Sequence, residues 1–235
     1  MLRKFSVAFA VIALGSVAAS AADTAYRDSS GRFSVTVPDG WNVQDIGDTR
    51  VALMVSAPDA DNYSGVCIFG VKEIPEMRQL TQAQIDEVFG KEINRQFWDA
   101  MYQATGAKDV AVEDTGMREQ NGHHAYYSVA SATLPLPTGG VMRAKNKIQL
   151  QVIPGSLHIM SCRSTADGYA AYALKFETMF ASHIPLGSGY IASLSRSGPA
   201  TLGLNSAKPD ARRNVNTVRT IGSNLLDIAF APRRR

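Results

Sequence analysis

Apolar and polar residues alternate from Phe33 onward, with Phe33, Val35 and Val37 on one side and Ser34 and Thr36 on the other. Pro38-Asp39-Gly40 breaks the run and Trp41 opens the next. A period of two predicts a strand, a turn and a second strand closing a hairpin on the core. Val51–Val55 and Val66–Ile74, separated by a loop at Pro58–Asn62, add two more apolar runs, so four strands are expected before the first helix. There the period lengthens. Thr81 and Gln84 have capping-box spacing, Leu80 and Ile85 stand at staple positions, and Ile85, Val88, Phe89, Ile93, Phe97, Met101 and Ala104 form one stripe. The pattern predicts a single helix of about six turns, stopped at Gly106, with Asp86, Glu87, Lys91, Glu92 and Arg95 on a solvated face.

Alternation returns at Val110 and Val112, turns at Gln120-Asn121-Gly122, and resumes from Tyr126 to Thr133. After the loop at Leu134–Gly140 comes a long strand. Met142, Ala144, Ile148, Leu150 and Val152 share one face, and Arg143, Lys145, Lys147, Gln149 and Gln151 the other. Pro154-Gly155 turns it back into Leu157–Arg163. Asp167 is placed to cap a last helix whose stripe is Tyr169, Tyr172, Ala173, Phe176, Met179 and Phe180, with Pro185 as its terminator. Strands joined by short turns pair antiparallel, and each helix has an apolar face to cover. The expected fold is α+β, an antiparallel β-sheet flanked by two main helices. It spans residues 22–186, roughly 165 residues, long enough to bury about two-thirds of its surface.

Both flanks of that interval differ in kind. Arg3 and Lys4, the apolar stretch Phe5–Val17 and the small-x-small triplet Ala19-Ser20-Ala21 read as a signal peptide over residues 1–21, cleaved near Ala21. A periplasmic or secreted location is expected, with no transmembrane segment in the mature chain. The 235 residues carry a net charge of +3, but the sign is uneven. Residues 22–186 hold 14 basic and 19 acidic side chains, while residues 187–235 hold 8 and 2. The mean charge would suggest nucleic acid; an acidic globule with a basic tail does not, and no nucleic acid is expected. The tail is rich in Gly, Ser, Asn, Pro and Arg and is expected to be largely disordered. Its apolar cluster Val218, Ile221, Leu225, Leu226 and Ile228, followed by Arg233, Arg234 and Arg235, is a candidate contact for an envelope protein or an anionic surface.

The opening Phe33-Ser34-Val35-Thr36-Val37-Pro38-Asp39-Gly40-Trp41 resembles the start of the PsbP-like superfamily. The long helix after four strands, the strand end Met160-Ser161-Cys162 and the closing Phe176-Glu177-Thr178-Met179-Phe180-Ala181-Ser182-His183 follow in the same order. The resemblance implies the α/β/α sandwich shared by photosystem II extrinsic proteins, Mog-type Ran-binding proteins and bacterial secreted proteins. It implies a scaffold and no shared catalytic residues. Trp41 reads as an apolar anchor, with a ligand platform as the alternative.

The chain contains no nucleophile elbow, His-Glu-x-x-His, phosphate loop, dinucleotide fingerprint or Cys-x-x-Cys. No catalytic residue and no cofactor is assigned. His123 and His124 are weak metal candidates, because adjacent strand residues point to opposite sides. His158 reads as a strand residue, and His183 as a helix-end imidazolium facing the carbonyl dipole. Cys67 and Cys162 leave a disulfide and two buried thiols both open, as well as a Cys162 nucleophile assisted by His158 or His183. Arg143, Lys145 and Lys147 form a cationic row, read either as a solvated or edge face or as a receiver for an anionic group. Together these features favour a secreted, non-enzymatic binding or accessory protein of the cell envelope. The alternatives are an envelope hydrolase with a site assembled only in three dimensions, and a metal or small-ligand carrier.

Overall fold

The computed structural model describes residues 23–47, 51–60, 64–104, 107–135 and 140–186. The leader, Gly106 and the tail with Arg233, Arg234 and Arg235 lie outside the described residues. In chain order the elements are β1 (Thr24–Arg27), β2 (Phe33–Val37), β3 (Asn42–Asp45), β4 (Leu53–Ser56) and β5 (Val66–Glu73). A 3-10 turn at Pro75–Met77 leads to α1 (Gln82–Glu92) and α2 (Arg95–Ala104). Then come β6 (Lys108–Gln120), β7 (His123–Pro135), β8 (Val141–Ile153), β9 (Ser156–Thr165), α3 (Tyr169–Ser182) and β10 (Ile184–Pro185).

Seven strands form one antiparallel sheet in the order β3-β4-β5-β9-β8-β7-β6. It consists of two meanders, β3-β4-β5 and β6-β7-β8-β9, joined along the β5–β9 seam. Cys67 faces Cys162 in that seam, and the two are bridged with a Cα–Cα distance of 4.0 Å. On one face α1 and α2 bury Ile85, Phe89, Trp98, Met101 and Tyr102 against Tyr126, Ile148, Leu150 and Ile159. On the other, α3 and β2 bury Phe176, Met179, Phe180, Phe33 and Val35 against Leu53, Phe69, Met160 and the disulfide. Two helical layers enclosing a sheet are the expected α/β/α sandwich.

Several local expectations are corrected. Five strands, not four, precede the first helix, because β1 pairs with β2. Phe33–Val37 and the strand after Trp41 form no hairpin. β2 joins β1 and β10 in a separate three-stranded sheet, whereas β3 pairs with β4. Gly40, at φ 72°, makes Pro38–Gly40 a corner between sheets. Trp41 then packs edge-on against Tyr172 and Phe176, each 6.1 Å away, which bears out its reading as an anchor.

The long helix is two helices. The Thr81–Gln84 capping box is present, but α1 ends at Glu92, and Asn94 Oδ1 accepts the Phe97 N–H at 3.2 Å to start α2. Asn satisfies a helix N-terminus better than it continues a helix interior. The break turns Trp98 and Tyr102 into the core and leaves Ala104 exposed. Asp167 does not cap α3; the N-cap is Gly168, whose N–H is taken by Thr165 Oγ1 at 3.2 Å. Pro185 lies in β10, paired with Phe33.

Candidate binding site beside the last helix

The cationic row does not lie on an edge strand, and it is solvated at Arg143 and in part at Lys145 but not at Lys147. β8 lies between β7 and β9, and α3 crosses the side from which Lys147, Gln149 and Gln151 project. All three are buried. Lys147 is compensated on the spot, because its Nζ donates to Glu177 of α3 and lies 5.1 Å from the Tyr127 ring centre and 5.2 Å from that of Phe180. Arg118 reaches across from β6, donating to Gln149 Oε1 at 2.5 Å and approaching Glu177 at 3.6 Å. One step along β8, Lys145 donates to Glu113 at 2.5 Å and stands 5.3 Å from the centre of Tyr169. Arg143 completes the row, exposed at its open end.

Two local features assemble this shelf. The register of β6 against β7 shifts between Val112 and Asp114, so the Glu113 bulge residue reaches Lys145 and Ser131. Gly116 lets Tyr127 lie across the strand, since a Cβ there would sit 2.6 Å from the Tyr127 hydroxyl. Burial alone would raise the Glu113 carboxyl. Hydrogen bonds from Lys145 and Ser131, helped by the charges of Lys145 and Arg143, hold it below the ordinary carboxylate value. Tyr169 is pushed the other way, by burial first and then by Glu177 and Glu113, and its phenol stays protonated.

The shelf therefore alternates in sign. Glu177 keeps 46% of its side chain in solvent, Glu113 38%, Arg118 30% and Lys145 27%. Charges of this exposure set register and encounter rate with a partner more than they set affinity. The Lys147–Glu177 pair also carries a stability prediction. Glu177→Ala should cost about 1–3 kcal/mol, less than a fully buried pair because water reaches Glu177. Lys147→Met should cost less than Glu177→Ala, since an apolar chain suits Tyr127 and Phe180 and leaves only a half-exposed carboxylate. Urea unfolding of the two variants checks the order.

The other candidates resolve separately. His124 and His123 diverge: His124 Nδ1 lies 3.7 Å from Asp86 and 3.4 Å from the Tyr126 hydroxyl, while His123 looks toward the α3 side and burial lowers its pKa. Among the described residues no three His, Cys, Asp or Glu side chains gather as a metal site. Cys162 is bridged, which overturns its reading as a nucleophile. His183 is no imidazolium at a helix end; it is buried, and burial pushes its pKa down to about 3. His158 is likewise buried.

Sequence reasoning missed the carboxylates. Glu177 had a signal, because it falls four residues after Ala173 and three before Phe180 and so borders the apolar stripe of the helix. Glu113 had none, because its position depends on a bulge. Arg118 and Tyr127 depend on the register of two long strands in the same way.

A two-meander antiparallel sheet enclosed by α1 and α2 on one face and α3 on the other defines a class of sandwich scaffold. A family model described as PsbP matches residues 22–183, and the chain belongs to the PsbP family. Solved structures are similar at low identity. The solution structure of cyanobacterial PsbP (CyanoP) from Synechocystis sp. PCC 6803 shares 18% identity over 73% of this chain and 98% of that one, with a TM-score of 0.45. The Saccharomyces cerevisiae Ran-binding protein Mog1p shares 10% over 72% and 98%, with a TM-score of 0.47. LpqN of Mycobacterium tuberculosis, described as involved in cell envelope biogenesis, shares 8% over 71% and 91%, with a TM-score of 0.45. No curated protein matches the sequence. Among the described residues no helix is long and apolar enough to cross a membrane.

Proposed function

We propose that this protein is a non-enzymatic accessory module of the bacterial cell envelope, acting in the periplasm or beyond after removal of its leader. It engages an envelope partner through the shelf beside α3 together with its basic C-terminal segment. The observation that carries the reading is the alternating row Arg143, Lys145–Glu113 and Lys147–Glu177, in which Lys147 is buried while Arg143, Lys145, Glu113 and Glu177 reach solvent beside α3. The Cys67–Cys162 bridge fits an oxidising compartment. The excess of positive charge after Gly187 complements an anionic partner or surface.

The test is capture from envelope extracts by the immobilised mature chain, compared with Arg143→Glu and with a triple variant replacing Arg233, Arg234 and Arg235 by Ala. Both variants should retain the native circular dichroism spectrum and recover the same partner several-fold less well, with a shallower salt dependence. Undiminished capture by both variants would remove the reading.

A further inference from the structure

Beneath the last turn of α3 lies a buried polar cluster that the binding shelf does not use. Gln120, Gln151, His158 and His183 are each no more than 8% exposed. The Gln120 amide donates to the carbonyls of Phe180 (2.7 Å), Ala181 (3.2 Å) and His183 (2.8 Å), and Asn121 adds a bond to the His183 carbonyl at 3.0 Å. These amides cap carbonyls that the end of the helix leaves unpaired. His183 Nδ1 donates to Gln151 Oε1 at 2.6 Å, and its ring lies 5.5 Å from Phe33 and 5.4 Å from His158. Opposite Gln151 in the sheet register, His158 bonds Ser156 through Nε2 at 3.2 Å. His158 Nδ1 and Gln151 Nε2 are buried without a partner.

Among the described residues, no carboxylate facing this cluster is left free to stabilise a charged imidazole. From the loop before β2, Arg32 brings positive charge, and its counter-ion Asp28 is held by two bonds to that guanidinium, at 2.8 and 2.9 Å. β7 contributes His123, and β5 ends in Glu73, which is paired with Arg78 at 2.8 Å. Burial pushes His158 well below the ordinary imidazole value, with further lowering from His183, Arg32 and His123.

The lid over the pair is slight. β10 is two residues long and pairs only with Ser34 and Phe33, and Pro185 has no N–H to donate. Beyond it the Leu186 N–H donates to the Arg32 carbonyl at 2.7 Å, and Ser182 Oγ accepts the Thr36 N–H at 2.9 Å. With the Gln120 and Asn121 bonds to the His183 carbonyl and the His183–Gln151 bond, these short edge and side-chain ties hold the segment among the described residues. A unit held this way opens before the long strands of the sheet do.

We infer that Ser182–Leu186 is an acid-released latch, closed over the neutral His158–His183 pair and opened when both rings take up protons, which frees the root of the C-terminal segment. The inference does not depend on the partner proposed above. The sign follows from the neutral rings: closure is fully favoured above the ordinary imidazole value of about 6.5 and weakens as pH falls below it. Opening takes up two protons, so each pH unit below that value raises the open-to-closed ratio by up to about a hundredfold.

Hydrogen exchange on the full mature chain with its disulfide intact, at pH 7.5 and 5.0 and corrected for intrinsic rates, tests this. Protection of the Thr36 and Leu186 amides should fall at least tenfold at pH 5.0, while the β8 and β9 amides stay protected. His183→Phe keeps an aromatic ring against Phe33 but cannot charge, and His158→Gln removes the other titrating ring. Either should cut the dependence from up to about a hundredfold to at most about tenfold per pH unit, whereas His124→Gln should leave it unchanged. Equal protection at both pH values, loss in step with β8 and β9, or wild-type pH dependence in whichever of the two variants folds would overturn the latch.

Discussion

Replacing Cys67 and Cys162 together by Ala is expected to lower the free energy of unfolding by about 4 kcal/mol, and the melting temperature by roughly 10 °C. The bridge closes a loop of 95 residues at the seam where the two meanders meet. Within each meander, neighbouring strands are close in sequence and find one another cheaply. The β5–β9 pairing must instead be found across the whole interval that holds α1, α2 and three strands, and the cross-link removes that search from the unfolded chain. Urea unfolding of the oxidised protein and of the double variant measures the difference. A loss below 1 kcal/mol would show that strand pairing and the core behind α3 hold the seam unaided.

Trp98→Ala is expected to cost about 3–5 kcal/mol, the range for emptying a buried aromatic site. Trp98 is fully buried in the core beneath α1 and α2 and stacks edge-on against Phe97 at 5.4 Å. The only other tryptophan, Trp41, lies on the opposite face of the sheet against Tyr172 and Phe176. In the variant Trp41 should keep its native emission maximum up to a lowered unfolding midpoint. A red-shifted Trp41 under native conditions would mean that the two cores rearrange together.

The sandwich was legible because β8 alternates over most of its length, Tyr126–Thr133 and Leu157–Arg163 are runs bounded by turn signals, and the stripe of α3 ends at Phe180 as expected. Features whose cause lies outside their own segment were not legible. Asn94 breaks the helix through its own side chain, yet the apolar pattern runs on across it because both helices cover one core. β2 satisfies the alternation rule but takes β1 and β10 as partners instead of β3, a choice made by packing against α3. Lys147 looked like a surface cation because its compensating Glu177 is thirty residues away in sequence. Buried Gln149, Gln151 and His158 resembled an outward face for the same reason: their hydrogen-bond partners arrive with another strand or with the end of the last helix.

The small sheet has a mechanical consequence. The first and last strands of the described fold, β1 and β10, flank β2 and run the same way along it, so the polypeptide enters and leaves on the order of 15 Å apart. Tension between the two ends would slide β1 and β10 in opposite directions along β2. The load would be carried by a handful of backbone bonds, and neither the seven-stranded sheet nor its sulfur cross-link would feel it until those bonds had failed.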